Sequence, residues 1–353
     1  FLVARLDTAR CGTVTVRGSV NSDSRPASIH SNGAIGRQLF IVSGMAGYIF
    51  ALDTNTFTTI GGGFPAACLM GTFADSYFLA LYNGTPKFGF SSLADGTTWD
   101  ALDVAQKSQT SDNLLAMVYD HKDLWLMGTE TIEIWVNSGD ARNPWTPQPI
   151  LIEGGIAGSD AWVQADDSLF WIASGKDGAR AVVRAQGFSP QRVSTHALEA
   201  ALHTYSRVDD AIGWSYEDEG HVTVVFTFPT ADATWRYDAQ THIWTEWLSW
   251  DSGTSTYGAH LACSHAYAFG KHLVGSCVDG KVYQLSSTTY TDAGATIRRL
   301  RRAPHIHNEH KRVFHHRLEL VMRTGVGLAS GQGEDPQMFM RFSNDGGNTW
   351  SSE

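Results

Sequence analysis

The strongest constraint in this chain is a period. Short apolar runs separated by turn residues recur along it. The middle run of each unit can be followed through Phe40, Phe78, Trp125, Trp171, Val225 and Leu273, at steps of 38, 47, 46, 54 and 48 residues. A unit of ~40–50 residues with about four short strands reads as one blade of a β-propeller, since such a sheet buries its faces only by stacking on neighbours. A β-sandwich also spaces its strands evenly, but it does not call for six similar units. The sequence therefore predicts an all-β fold: a β-propeller of about six four-stranded blades over residues 1–288, with five or seven blades as alternatives.

Local chemistry agrees with the period. "GRQLFIVSGMAGYIFALDTNTFTTI" holds two strands around Ser43–Gly47 and a turn at Asp53–Asn55, and "DSYFLALYNGTPKFGFSSLADGTTW" repeats the plan with turns at Asn83–Gly84 and Asp95–Gly96. Gly at 35 against Pro at 10, with 12 Trp, 11 Tyr and 17 Phe, suits short aromatic-packed strands joined by glycine turns. The longest step contains one helical pattern. In "STHALEAALHTYS", Ala197, Leu198, Ala201, Leu202 and Tyr205 fall on one face, and Ser194 or Thr195 can cap its start. It is read as an insertion between blades.

Composition bounds what the chain does. Hydrophobic residues at 42% and charged residues at 18% describe a globular protein. A net charge of −10 argues against a general nucleic-acid binder, which relies on surplus Lys and Arg. Cys11, Cys68, Cys263 and Cys277 stand far apart with no CxxC pair, so a reducing compartment is the simpler reading. No apolar run approaches the ~20 residues of a membrane span. The opening "FLVARLDTARCGTV" carries charge inside its apolar stretch, unlike a secretion signal, and the missing initiator Met reads as an excerpt of a longer protein.

The texture changes near the end. Residues 289–353 read as a basic, His-rich linker and a β-hairpin module, with "RLELVMRT" and "QMFMRFS" as its strand pair; this segment either closes the propeller or stands apart. Arg298, Arg299, Arg301, Arg302, Lys311 and Arg312 form a cationic strip on an acidic protein, a candidate contact for an acidic partner or a phosphate backbone. His305, His307, His310, His315 and His316 crowd the same stretch. No cysteine joins them, and neighbouring strand positions face opposite sides, so no metal is expected.

The module ends in "RFSNDGGNTW", where Ser343, Asp345, Gly347, Thr349 and Trp350 fit the S-x-D-x-G-x-T-W Asp-box of sialidases and other propellers. Its residue types serve a turn: the oxygens take up backbone amides, Gly permits positive φ, and Trp is expected to plug the hairpin into the core. "SSLADGTTW" at Ser91–Trp99 has similar punctuation with a shorter loop. A glycosidase would need two carboxylates facing across a cleft; Tyr216–Glu217 and the pair Glu130 and Glu133 are the available groups, and strand or hairpin charge is their simpler role. Gly325 and Gly327 begin a G-x-G-x-x-G that Ser330 breaks. No P-loop, G-x-S-x-G or H-E-x-x-H is present, so neither catalysis nor a cofactor is expected.

Three longer phrases go beyond a generic propeller: Ser91–Asp140, the stretch between Ala185 and Trp247, and "RFSNDGGNTWSSE". They resemble the packaged-DNA stabilisation proteins of short-tailed phages, also called tail accessory or tail hub proteins. The resemblance covers most of the chain from Ser91 onward. It implies a non-enzymatic virion protein that forms a ring, hexameric by expectation, beneath the portal and adaptor proteins. There it would extend the DNA conduit, retain packaged DNA, and anchor the tail needle and tailspikes after assembly in the host cytoplasm. A sialidase-like or glycan-binding propeller of a phage tail is the alternative, and a cellular scaffold that reads peptides at its rim is a third.

Overall fold

Each of the six strand-and-turn units forms its own antiparallel sheet. The computed structural model describes residues 2–352 apart from 8, 9, 176, 177, 179, 288, 290, 299, 310, 322–329, 331–333 and 335–337, with backbone only at 2–14 and 296. A hairpin of β1 (Leu2–Asp7) and β2 (Arg10–Val16) comes first. Blade one is β3 (Ser28–Ser31), β4 (Gln38–Ser43), β5 (Ala46–Ala51) and β6 (Thr56–Thr59). Blade two is β7 (Cys68–Ala74), β8 (Tyr77–Tyr82), β9 (Lys87–Ser92) and β10 (Asp95–Gln106). Blade three is β11 (Leu114–Asp120), β12 (Asp123–Gly128), β13 (Thr131–Asn137) and β14 (Trp145–Glu153).

In blade four the first strand is broken into β15 (Gly155–Ile156) and β16 (Trp162–Ala165), both paired with β17 (Ser168–Ser174), and then come β18 (Arg180–Gln186) and β19 (Ser189–Arg192). Blade five is β20 (Ile212–Asp218), β21 (His221–Phe228), β22 (Ala233–Asp238) and β23 (Ile243–Glu246). A hairpin of β24 (Leu248–Asp251) and β25 (Thr256–Ala259) leads to blade six, β26 (Ala262–Ala268), β27 (Lys271–Ser276) and β28 (Val282–Leu285). The two-residue strands β29 (Thr291–Asp292) and β30 (Ala295–Thr296) follow. The protein is thus a six-bladed all-β propeller, and Phe40, Phe78, Trp125, Trp171, Val225 and Leu273 each sit on the second strand of their blade.

The sequence pattern of the middle strands follows from stacking. Both faces of a blade are covered by neighbours, so the second and third strands read as unbroken apolar runs rather than alternating ones. Every residue of Leu124–Gly128 in β12 is buried, whereas the outermost strands β6 and β23 are mostly exposed. First strands pack in succession, β3 on β7, β7 on β11, β16 on β20 and β20 on β26, which places them innermost. Aromatic side chains fill the seams. Phe40 of blade one meets Phe78 of blade two at 5.2 Å between ring centres, and Trp125 of blade three meets Trp171 of blade four at 6.1 Å. Gly71 lets the first seam close, because a Cβ there would lie 2.2 Å from the Phe40 ring. Each such fully buried side chain contributes about 2 kcal/mol.

The turns between first and second strands of blades two to six share one geometry that the sequence does not advertise. Asp75–Ser76, His121–Lys122, Asp166–Asp167, Glu219–Gly220 and Phe269–Gly270 have positive φ at both central residues, as a two-residue type I′ turn requires. Three of the five contain no glycine. The predicted helix is α2 (His196–Thr204), capped by Thr195, whose Oγ1 accepts from the Leu198 amide at 3.3 Å. A single turn, α1 (Gly33–Gly36), was not anticipated.

Cys263 and Cys277 form a disulfide, which corrects the expectation of reduced, widely spaced thiols. Cys263 lies in β26 and Cys277 directly follows β27, next to the pair Ala262 and Ser276, and their Cα atoms lie 5.7 Å apart. Cys68 is free and buried. The chain divides into two compact units, Phe1–Ile297 and Arg298–Glu353. Among the described residues of the second unit no strand is formed, so the expected pair "RLELVMRT" and "QMFMRFS" is not seen in its described portions, 317–321 and 338–343.

Candidate interaction site

The Asp-box turn is built around one carboxylate. Asp345 Oδ1 accepts from the amides of Asn348 at 3.0 Å and Thr349 at 2.8 Å and from Ser343 Oγ at 2.7 Å, and Oδ2 accepts from Thr349 Oγ1 at 2.6 Å. These bonds, led by those from Thr349 and followed by Ser343, hold the carboxyl well below its usual range. Gly347 has φ +96°, and a Cβ there would run into the Arg302 guanidinium. The Trp350 indole N–H donates to the Gly347 carbonyl at 3.1 Å, and Ser351 N donates to Phe342 O at 2.9 Å, closing the loop.

Trp350 is not the expected core plug. It is 42% exposed, and its ring lies under the guanidinium groups of Arg302, at 4.8 Å, and Arg341, at 5.9 Å. Arg302 therefore joins the cationic strip to the box. Arg301, Lys311 and Arg312 are exposed, Arg298 is half-buried, and Arg299 lies outside the described residues. Among the other cluster members, His305 stacks near His307 at 6.1 Å, His315 and His316 are exposed, and His310 lies outside the described residues, as do Gly325 and Gly327. No group of three His, Cys, Asp or Glu side chains able to hold a metal ion occurs among the described residues.

The second box shows what the Trp does when a blade surrounds it. Asp95 accepts from the Thr97 amide at 2.9 Å, from Thr97 Oγ1 at 2.7 Å and from Thr98 Oγ1 at 2.8 Å. Burial alone would raise this carboxyl, but the bonds from Thr97, Thr98 and Gln38 together lower it to about 2. The Trp99 indole N–H donates to the Gly96 carbonyl at 2.8 Å, and the ring is buried beside Phe40 and Phe64.

Two polar groupings escaped the sequence reading. The first is inside blade three. Glu133, fully buried, accepts from the amides of Ser108, Gln109 and Thr110 and from the Trp135 indole, while Lys107 donates to Asp112 and Thr131. A carboxylate so engaged is a staple for the connector 107–113 and has no lone pair to spare for hydrolysis. Glu130, its sequence partner, is exposed.

The second grouping is an open groove of about 430 Å³ between blades five and six, lined by Glu217, Asp218, Glu219, Gly220, His265, Tyr267 and His272. His265 Nε2 and His272 Nδ1 are 3.0 Å apart, and His272 Nε2 lies 3.8 Å from Asp218 Oδ1. Burial and then the neighbouring His272 lower the His265 pKa, against a hydrogen bond to the Ser215 backbone. The groove's members come from blades some fifty residues apart, so spacing alone carried no signal.

Fold and sites define a class before they define a family: an all-β propeller followed by a short second unit. The sequence matches the family model described as bacteriophage P22 Gp10, β-propeller, over residues 4–290, and that described as bacteriophage P22 Gp10, β-sandwich, over residues 298–353. The chain belongs to the bacteriophage P22 Gp10 family, whose role is stabilisation of packaged DNA. No curated protein matches it.

Among solved structures, it is similar to the extracellular domain of a one component system from B. thetaiotaomicron, at 12% identity and a TM-score of 0.43, covering 75% of this chain and 34% of that one. It therefore spans about a third of that relative's length. It is also similar to BamB from Moraxella catarrhalis, at 10% identity and a TM-score of 0.40, covering 74% and 83%. A chain of the mitotic checkpoint complex shares 12% identity at a TM-score of 0.44, with 78% of each covered. Likenesses this distant carry nothing for function.

Proposed function

We propose that this phage structural protein is a tail hub subunit, with no catalytic role, that assembles as a ring, hexameric by expectation, beneath the portal and adaptor proteins. The observation that carries the reading is the match of both halves of the chain, residues 4–290 and 298–353, to a single phage family. In this reading residues 1–288 form the body of the ring subunit and residues 289–353 an attachment module. The Asp-box Ser343, Asp345, Gly347, Thr349 and Trp350 then keeps that module's loop in shape. Arg298, Arg299, Arg301, Arg302, Lys311 and Arg312 supply the contact for an acidic neighbour, and the needle and tailspikes attach to the assembled ring.

Charge placement supports a conduit role. The inner turns of blades two to five and the residues beside them carry Asp75, Asp120, Asp123, Asp166, Asp167, Glu217, Asp218 and Glu219, against Arg37, Lys122 and Lys271 on or beside the connections between first and second strands and Arg184, which pairs with Asp166 at 2.8 Å. An acidic rim repels a sliding polyanion and does not hold it. Particles assembled without this chain should lose packaged DNA, and added purified protein should restore retention. Equal retention with and without it would remove the proposal.

A further inference from the structure

The outer strands of the blades do not all pair alike. β6, β19 and β23 run in continuous register with their neighbours. In β10 the register slips between Trp99 and Val104, so that residues 100–103 stand opposite Phe90 alone. In β14 it slips again, and residues 148–150 stand opposite Ile134. Bulges of this kind bend an edge strand and re-aim its side chains, and they recur beside functional sites. Between these two irregular strands, at the outer seam of blades two and three, lies a pocket of about 420 Å³ to which Phe90, Leu102, Val104, Trp135, Arg142 and Trp145 contribute.

Three features of the lining define what fits there. The first is apolar surface open to solvent, since Leu102 is 87% exposed. The second is an unopposed cation. Arg142 is the one charged residue of the lining, and Asp100 and Asp103 of the bulge are not part of it. The Asp140 carboxylate is taken up by the amides of Arg142 at 2.7 Å and Asn143 at 3.2 Å. The exposed Arg142 guanidinium has no hydrogen-bond or ion-pair partner among the described residues. The third is an unmet donor. Trp145 is fully buried, edge-on to Tyr77, and its indole N–H has no partner, whereas the N–H of Trp135 donates to Glu133 at 3.0 Å. Trp171 and Trp214 share that lack, but neither lines the pocket. An unpaired buried donor is costly, so an acceptor carried in by a ligand counts for more here than at the surface.

We propose that this pocket binds a segment of a partner protein in which a carboxylate stands beside a large apolar side chain. The apolar side chain packs on Leu102 and Phe90, the carboxylate pairs with Arg142, and an oxygen of the segment accepts from the Trp145 indole. Charge complementarity selects an acidic segment over a basic one, because both unsatisfied groups are donors and the cation has no carboxylate of its own. A pairing of carboxylate with guanidinium also fixes orientation. A few polar groups set in an apolar lining, in a pocket of this volume, suit a short anchor and not a folded domain. The site stands whether or not copies of the chain close into a ring.

The test titrates the full chain, labelled with nitrogen-15 at its tryptophan indoles, with three peptides: acetyl-EFDLEF-amide, the neutral acetyl-QFNLQF-amide and the basic acetyl-KFKLKF-amide. The acidic peptide is expected to bind about tenfold tighter than the neutral one and to shift the Trp145 indole resonance, which Trp145→Phe assigns. Arg142→Gln, at an exposed position, should abolish that preference and leave Tm unchanged. Equal binding of all three peptides, tighter binding of the basic one or no binding at all would overturn the inference. So would acidic binding that survives Arg142→Gln, since it would then belong to the cationic strip between Arg298 and Arg312. Self-association that Leu102→Asp abolishes would put a second copy in the pocket, which overturns the inference and leaves the ring proposal standing.

Discussion

Lys107 Nζ and Asp112 Oδ1 lie 2.5 Å apart in the interior of blade three, with the lysine side chain wholly shielded from solvent. All three ammonium protons are used, since Lys107 also donates to Thr131 O at 3.0 Å and to Thr131 Oγ1 at 2.8 Å. Burial alone would raise the Asp112 carboxyl. The bonds from Lys107, the Glu130 amide, Thr131 and Thr110 outweigh it and hold that carboxyl below its ordinary range. The connector between blades two and three is thereby pinned to β13.

Breaking that pair should be costly, because the surviving charge stays buried. Lys107→Met is expected to lower unfolding stability by about 3–5 kcal/mol. Glu133→Ala, which orphans three amides and an indole N–H, should cost about 3 kcal/mol. Urea unfolding followed by tryptophan fluorescence checks both. A loss under about 1 kcal/mol for Lys107→Met would mean that the staple does not hold the connector.

The two Asp-box tryptophans should separate cleanly. Trp99→Ala removes a ring buried in the seam of blades one and two and is expected to cost about 3–5 kcal/mol. Trp350→Ala removes a half-exposed ring under two arginines, where the loss should be about 1 kcal/mol or less. Thermal unfolding of the two variants in parallel reads the difference, and equal losses would contradict it.

Acid should destabilise the propeller before its carboxylates titrate. Burial lowers His30 and His260 to about 4, with Asp292 partly opposing it at His260, and His265 moves the same way. His260 shows why: its Nδ1 accepts from the Ala262 amide at 3.2 Å and cannot do so when protonated. A lowered folded pKa means that the unfolded chain binds more protons, so this stability is present above about pH 6.5 and is lost as pH falls toward 4. His121 works in the opposite sense. Its bond to Asp120, with the charges of Asp120 and Asp167, raises its pKa, so its contribution is present at low pH and lost as pH rises. Tm measured across that window should fall on acidification, and His260→Gln should flatten the slope. A flat profile in the unsubstituted protein would exclude the mechanism.

Much of this was legible in the sequence, and the reasons differ by element. The blade period survives because stacking demands two apolar faces per sheet, and Thr195 and Leu198 mark α2 through capping and spacing. The inner turns were not legible, since Asp75–Ser76, His121–Lys122 and Asp166–Asp167 reach positive φ without glycine. The staple at Lys107, Asp112 and Glu133 and the groove at Asp218, His265 and His272 were hidden because their members meet only after blades form. Trp350 was read as a plug by analogy with its motif, and the structure gives that part to Trp99. The Cys263–Cys277 bond depends on hairpin register, which residue spacing does not report.

The central claim is that this protein is a passive ring-forming part of a phage tail, and location tests it most directly. Cryo-electron microscopy of virions carrying the chain should resolve a closed ring of its copies immediately below the portal and adaptor, with the propellers around the DNA path. A map that placed the chain outside the tail, or found it as isolated single copies, would contradict the account.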